Sequence, residues 1–377
     1  MPLKILTVFG TRPEAIKLAP VIYTLADDPR FESRVCVTAQ HRQMLDQVLD
    51  FFEINPDFDL DLMRPDQTLS QITADVVTGM AEILRAAEPD VVIVQGDTTS
   101  AFAAALSAYY ARTAVGHVEA GLRTWDKFSP FPEEMNRAMT GRLTDFHFAP
   151  TEGARRNLLS EGIAASTIWV TGNTVVDALL TTRDRVADWE ASRVPGLEKG
   201  LDEGGRLVLI TAHRRESFGE GMADICKAVA ELAREHSDVE YVFPVHPNPN
   251  VRAPVGQILE GLANVHLIEP VEYPALVWLM SHSTLILTDS GGIQEEAPSL
   301  AVPVLVMREK TERPEGVEVG AVKLVGTDRG EIVSQANELL AGGPAYERMA
   351  SAGNPYGDGH AAERIRDAML DTLGARE

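Results

Sequence analysis

Two cations stand where a nucleotide-binding turn would carry glycines. In "LTVFGTRPEAIKLAP" the apolar run Ile5 to Phe9 predicts a parallel strand, Ala15 to Leu25 a helix, and Gly10 to Glu14 the turn joining them. A dinucleotide fingerprint needs GxGxxG at such a turn, so that pyrophosphate can approach bare backbone. Here Gly10 is followed by Thr11, Arg12 and Pro13, which argues against NAD bound by that route. With a helix starting near Pro13, Arg12 and Lys17 can reach one anion. The competing reading is a pair of solvated surface cations.

Carboxylates recur at strand ends. Asp97 of "QGDTTS" follows the apolar run Asp90 to Val94, where it is either a helix N-cap or a reactive acid. Glu119 of "GHVEAGLRT" repeats the arrangement just before Gly121. A carboxylate set into an apolar cleft has a raised pKa and suits proton transfer. "PFPEEMNR" adds Glu133 and Glu134 behind Pro132, at a predicted first helical turn, with Arg137 spaced for a helix-face ion pair.

Cations also follow strand ends in the second half, against its acidic composition. "TAHRRES" places His213, Arg214 and Arg215 after a strand, a set suited to phosphate. "TDSGGIQEEAPSL" supplies Ser290, Gly291 and Gly292 at a helix start, where free backbone N–H groups can hold an anion. Glu296 either accepts from sugar hydroxyls or faces water, and "KTERPEG" contributes Arg313. Metal chemistry has little support: the nine histidines form no HxxxH pair, the two cysteines no CxxC, and "HVE" lacks the PCxxC of zinc deaminases. There is no GxSxG elbow and no Walker lysine loop.

The elements that must position these residues are strands alternating with helices. "KILTVFG", "SRVCVTA", "DVVIVQG", "TAVGHVE", "FHFAP" and "TIWVTG" predict one parallel sheet covered on both faces. After "RVPGLEKGLDEGGR" the pattern restarts with "LVLITAH", "VEYVFPVH", "VHLIEP", "TLILTDS", "VPVLVM" and "AVKLVG". The expected architecture is α/β, with two Rossmann-like domains facing a cleft: residues 1–172, then 173–357, with a last helix at about 358–377 that can pack on the first. The openings "LTVFGTRPE" and "VLITAHRRE" are alike, and both turns lie at carboxyl strand ends, where ligands bind.

A chain of 377 residues suits two ordinary domains, and 45% hydrophobic with 24% charged residues is globular composition. A net charge of −22 argues against nucleic acid and anionic membranes, so an anionic substrate needs a local cationic pocket. Cys36 and Cys226 lie in apolar patterns of buried free thiols, and no uninterrupted apolar segment predicts a membrane span or a secretory leader. Cytoplasmic localisation is the expectation.

In this order, "GTRPEAIKLAP", "QGDTTS", "HVEAGLRT", "PFPEEMNR", "TGNTVVDAL", "TAHRRE", "DSGGIQEEAPSL", "TERPE" and "NPYGDG" closely resemble the non-hydrolysing UDP-N-acetylglucosamine 2-epimerases of bacteria. The resemblance spans about Leu6 to Gly359. It implies a glycosyltransferase-B type of fold, a homodimer, a place in cell-envelope polysaccharide biosynthesis, and cofactor-free interconversion of UDP-N-acetylglucosamine and UDP-N-acetylmannosamine. It also implies the route: C2 loses its proton as UDP leaves C1, and UDP re-adds to 2-acetamidoglucal after reprotonation on the other face.

Carried over by motif, Asp97, Glu119 and Glu133 are the carboxylate set, and His213 stands at the phosphates. Arg12 and Lys17 hold pyrophosphate, with Arg313 a further cation. Ser290, Gly291, Gly292 and Glu296 form the UDP site, with Glu296 at the ribose. The family's substrate is also its activator, and Gln40, Gln43, Glu134, Arg214 and His246 match that second site. Leu276 departs from relatives that carry an aromatic near the uracil. The alternatives are a hydrolysing epimerase, a UDP-sugar-dependent glycosyltransferase of the same fold, and a non-catalytic UDP-sugar sensor.

Overall fold

A computed structural model describes residues 1–38, 42–62, 64, 66–198 and 205–374. Packing divides the chain into two units, Met1–Ala178 with Tyr356–Glu377, and Leu179–Pro355.

The first unit runs β1 (Leu3–Phe9), α1 (Arg12–Ala26), β2 (Phe31–Val37), α2 (Arg42–Phe51), β3 (Phe58–Asp59), α3 (Leu69–Ala87), β4 (Val91–Gln95), α4 (Thr99–Tyr110), β5 (Ala114–Val118), α5 (Glu133–Leu143), β6 (Phe146–Ala149), α6 (Glu152–Ser160) and β7 (Ile168–Val170). Helix α7 (Thr174–Arg185) contains the division between the units. The seven strands are parallel in the order β3-β2-β1-β4-β5-β6-β7. All five residues of β4 are buried, which is why it reads as a continuous apolar run rather than an alternating one. Ala101, Ala104, Ala105 and Ala108 of α4 let that helix pack closely on the sheet and on α3.

The second unit runs β8 (Arg206–Thr211), α8 (Glu220–Glu235), β9 (Val239–Pro244), α9 (Pro249–Leu259), β10 (Val265–Ile268), α10 (Tyr273–Ser281), β11 (Ser283–Thr288), α11 (Gly291–Glu296), β12 (Val304–Val306), α12 (Pro314–Glu318), β13 (Val322–Leu324), α13 (Arg329–Leu340) and α14 (Pro344–Ala350). Its six parallel strands are ordered β10-β9-β8-β11-β12-β13. Leu232 of α8 and Ile332 of α13 pack against Tyr241, Phe243 and Leu285 of this sheet in one core. The last helix, α15 (Ala361–Leu373), packs on α1. No helix among the described residues is long and apolar enough to cross a membrane.

Strand order reverses between β1 and β4 in one sheet and between β8 and β11 in the other. Ligands of doubly wound sheets bind outside the carboxyl ends of strands at such switch points.

Candidate active site

In the first unit, Lys17 Nζ lies 2.6 Å from Glu119 Oε1, with side chains only 15% and 7% exposed. Asn173 Nδ2 donates to the same oxygen at 3.3 Å, and Gln95 Nε2 donates to Oε2. Glu119 sits at φ 64, a left-handed conformation that bends the chain back from β5. Lys17 is thus not a solvated cation: helix α1 carries it to the end of β5. Arg12 lies at the first turn of α1, and burial lowers its pKa.

Asp97 is not the cap of α4. Thr98 holds that position, accepting from Ala101 N at 3.0 Å, which leaves the Asp97 carboxylate free to take Arg137 Nη2 at 2.6 Å. Asn136 Nδ2 donates to the Asp97 carbonyl at 2.9 Å, tying the β4–α4 turn to α5. A Cβ on Gly96 would lie 3.8 Å from Glu119 Oε2, so the two strand-end acids share one neighbourhood. The adjacent glutamates of α5 differ. Glu134 is buried and accepts from Thr124 N and Trp125 N, both at 3.0 Å, with Arg137 at 3.4 Å. Glu133 has a buried Oε2 that accepts no hydrogen bond among the described residues, an open acceptor of the kind proton abstraction needs.

The second unit builds its strand-end cluster on Asp289, which is fully buried. Its Oδ2 accepts His213 N and Arg214 N, each at 2.7 Å, and its Oδ1 lies 3.3 Å from His213 Nδ1. Burial lowers the His213 pKa, Asp289 opposes the fall, and Arg214 and His246 add to it. The His213 and His246 rings stack at 5.6 Å. Arg214 has a buried Nε without a hydrogen bond among the described residues.

Ser290 caps α11 without a side-chain bond. Arg313 Nε donates to Glu295 at 2.6 Å, and its guanidinium lies so near Gly291 that a Cβ there would meet Nη1 at 2.7 Å. A side chain at position 291 would therefore displace the Arg313 guanidinium from its present place. Glu296 does not face water. It is buried and accepts Tyr273 Oη–H at 2.8 Å, one helical turn before half-buried Leu276. Gly292 is the second residue of α11.

Gln40 lies outside the described residues, as does the side chain of Gln43. Sequence reasoning overlooked Gln95, Asn173 and Asp289. The last sits beside the singled-out Ser290, and its signal was the same strand-end placement that marked Asp97. Gln95 and Asn173 offered none, because an amide at a strand end carries no charge pattern. Among the described residues no group of three or more His, Cys, Asp or Glu is placed to hold a metal ion.

Two doubly wound α/β units in one chain, each with acids and cations at its switch point, define a two-domain protein of the glycosyltransferase-B type. The chain belongs to the UDP-N-acetylglucosamine 2-epimerase family, whose model matches residues 23–370. It is 56% identical to the UDP-N-acetylglucosamine 2-epimerase of Escherichia coli K12, over 97% of this chain and 98% of that protein. A 2.2 Å crystal structure from Listeria monocytogenes is similar with a TM-score of 0.93 at 48% identity, covering 100% of this chain and 98% of the other. The UDP-GlcNAc 2-epimerase of Neisseria meningitidis, solved bound to UDP-GlcNAc, matches with a TM-score of 0.88 at 49% identity, covering 98% of this chain and all of that one.

Proposed function

We propose that this protein interconverts UDP-N-acetylglucosamine and UDP-N-acetylmannosamine by eliminating and re-adding UDP. The observation that carries the reading is the pairing of Glu119 with Lys17 and of Asp97 with Arg137 at one switch point, with the open Glu133 oxygen one helical turn before Arg137 on α5. That the Neisseria relative is solved with UDP-GlcNAc supports the substrate.

In the forward direction a carboxylate of the Asp97, Glu119, Glu133 set takes the C2 proton. The C2 bonding pair becomes the C1–C2 double bond of 2-acetamidoglucal, and the C1–O pair leaves on the β-phosphate oxygen of UDP. Cations stabilise the charge that develops on that oxygen, and Arg12, Lys17, His213 and Arg313 supply them. Return of a proton to the opposite face of C2, with C1–O bond formation, completes the inversion. Ser290, Gly291 and Gly292 hold the diphosphate, and Glu296, oriented by Tyr273, binds the ribose. The enzyme works in the cytoplasm as a homodimer, the oligomeric form the family resemblance implies. A second UDP-N-acetylglucosamine activates it through Gln40, Gln43, Glu134, Arg214 and His246.

The test is incubation of the purified protein with UDP-N-acetylglucosamine alone in D₂O. UDP-N-acetylmannosamine with deuterium at C2 is the expected product, and Glu133→Gln should form it about 10²–10⁴-fold more slowly. Free N-acetylmannosamine would make the protein a hydrolysing epimerase, and no reaction without an acceptor would favour the glycosyltransferase. Epimer free of deuterium would refute the solvent-exchanging elimination.

A further inference from the structure

Between the turns that carry Arg12 and Asp97 lies a buried carboxylate with no part in the reaction described so far. Glu14 is 1% exposed. Its Oε2 accepts Gly10 N at 3.0 Å and Thr11 N at 2.8 Å, and its Oε1 accepts the Thr98 hydroxyl at 2.6 Å. The Thr98 oxygen in turn accepts Ala101 N at 3.0 Å, so this one hydroxyl both caps α4 and joins it to the start of α1.

The surroundings leave no slack. A Cβ on Gly10 would lie 2.1 Å from Thr38 Oγ1 and 3.1 Å from Ser100 Oγ, and Thr38 Oγ1 donates to Ser100 Oγ at 3.2 Å. Burying a carboxylate is expensive even when it is hydrogen-bonded, whereas a helix start can be capped at the surface at little cost. Burial raises the Glu14 pKa, and the bonds from Thr98, Gly10 and Thr11 oppose that rise by favouring the charged form. Capping alone therefore does not account for a carboxylate at this depth.

We infer that Glu14 is a positioning residue: through Thr98 it locks the turn bearing Arg12 to the turn bearing Asp97, so that cation and acid keep a fixed separation during turnover. The inference rests on the epimerase reading of the first unit.

The test replaces Thr98. Thr98→Asp keeps a favoured N-cap but sets one carboxylate against another. A misplacement of about 1 Å can cost up to about 10²-fold in rate, so kcat should fall about tenfold or more with KM within about twofold of wild type. Hydrogen exchange at the Gly10 and Thr11 amides should accelerate in the same variant. Thr98→Ser should retain wild-type kcat. The double variant Glu14→Gln/Thr98→Asp should restore both readouts, because the new amide donates to the new carboxylate while its carbonyl still accepts from Gly10 and Thr11.

Unchanged kcat in Thr98→Asp, or a double variant no better than the single one, overturns the inference. If Thr98→Asp does not fold, Thr98→Val serves: it should show the same two changes, and wild-type values of both overturn the proposal. The exchange measurement is independent of turnover. A wild-type protein that makes no epimer thus counts against the function, not against the lock.

Discussion

His117 ties the stability of the fold to pH. It is fully buried and donates Nε2–H to the carbonyl of Gly96 at 2.7 Å, just before Asp97. Burial depresses its pKa to about 3, the hydrogen bond to Gly96 opposing the fall. The unfolded chain titrates near 6.5, so below that pH the unfolded state binds a proton that the native state does not. Stability from this residue is therefore present above about pH 6.5 and is lost as pH falls toward 3, at about 1.4 kcal/mol per pH unit. Urea midpoints measured from pH 7 to pH 5 should decline in the wild type and decline less in His117→Gln, which keeps a donor for Gly96. A residual slope is expected from His147, also depressed by burial. Equal slopes in the two proteins would remove His117 as the source.

The elements place reactive groups by ending strands abruptly. Strands β1, β4 and β11 turn within three residues into helices α1, α4 and α11, which sets side chains just past them at the switch points. After β5 the return takes two left-handed residues, Glu119 at φ 64 and Gly121 at φ 94. A Cβ on Gly121 would lie 2.4 Å from the Ala154 carbonyl oxygen at the start of α6. Gly121→Ala therefore meets both an unfavourable conformation and a backbone clash, and should cost at least about 2 kcal/mol. Chemical denaturation checks this, and a loss below about 0.5 kcal/mol, the size of an ordinary surface change, would show that α6 can move aside.

At the scale of the whole molecule, a net charge of −22 coexists with cations gathered at strand ends. The field repels polyanions in general, while on the proposed reading local guanidinium groups admit a small diphosphate. On the proposed reading a second molecule of substrate regulates the first, and a ligand shifts a conformational equilibrium only by its differential affinity for the two states. Rates against UDP-N-acetylglucosamine should then be sigmoidal. Reaction from UDP-N-acetylmannosamine alone should be slow until the other epimer is added, and His246→Ala should weaken the response before it abolishes turnover. Hyperbolic kinetics in both directions would exclude the activator site.

The sequence alone determined the α/β class and most of the candidate residues, because strand–turn–helix punctuation is local: an apolar run, a small or charged turn and an amphipathic stretch are neighbours along the chain. Asp97, Glu119, His213 and Ser290 were legible for that reason. Their partners were not. Lys17 meets Glu119 across 102 residues, and Asp289 gathers the amides of His213 and Arg214 from across 75 to 76. Only the tertiary structure decided that Thr98, not Asp97, caps α4, that Glu296 takes Tyr273 instead of water, and that Glu14 joins two turns. The physical reason is strand order. Periodicity records which face of an element is apolar but not which strand lies beside which, and it is the placement of β4 between β1 and β5 in one sheet, and of β11 beside β8 in the other, that brings the strand-end groups within hydrogen-bonding reach.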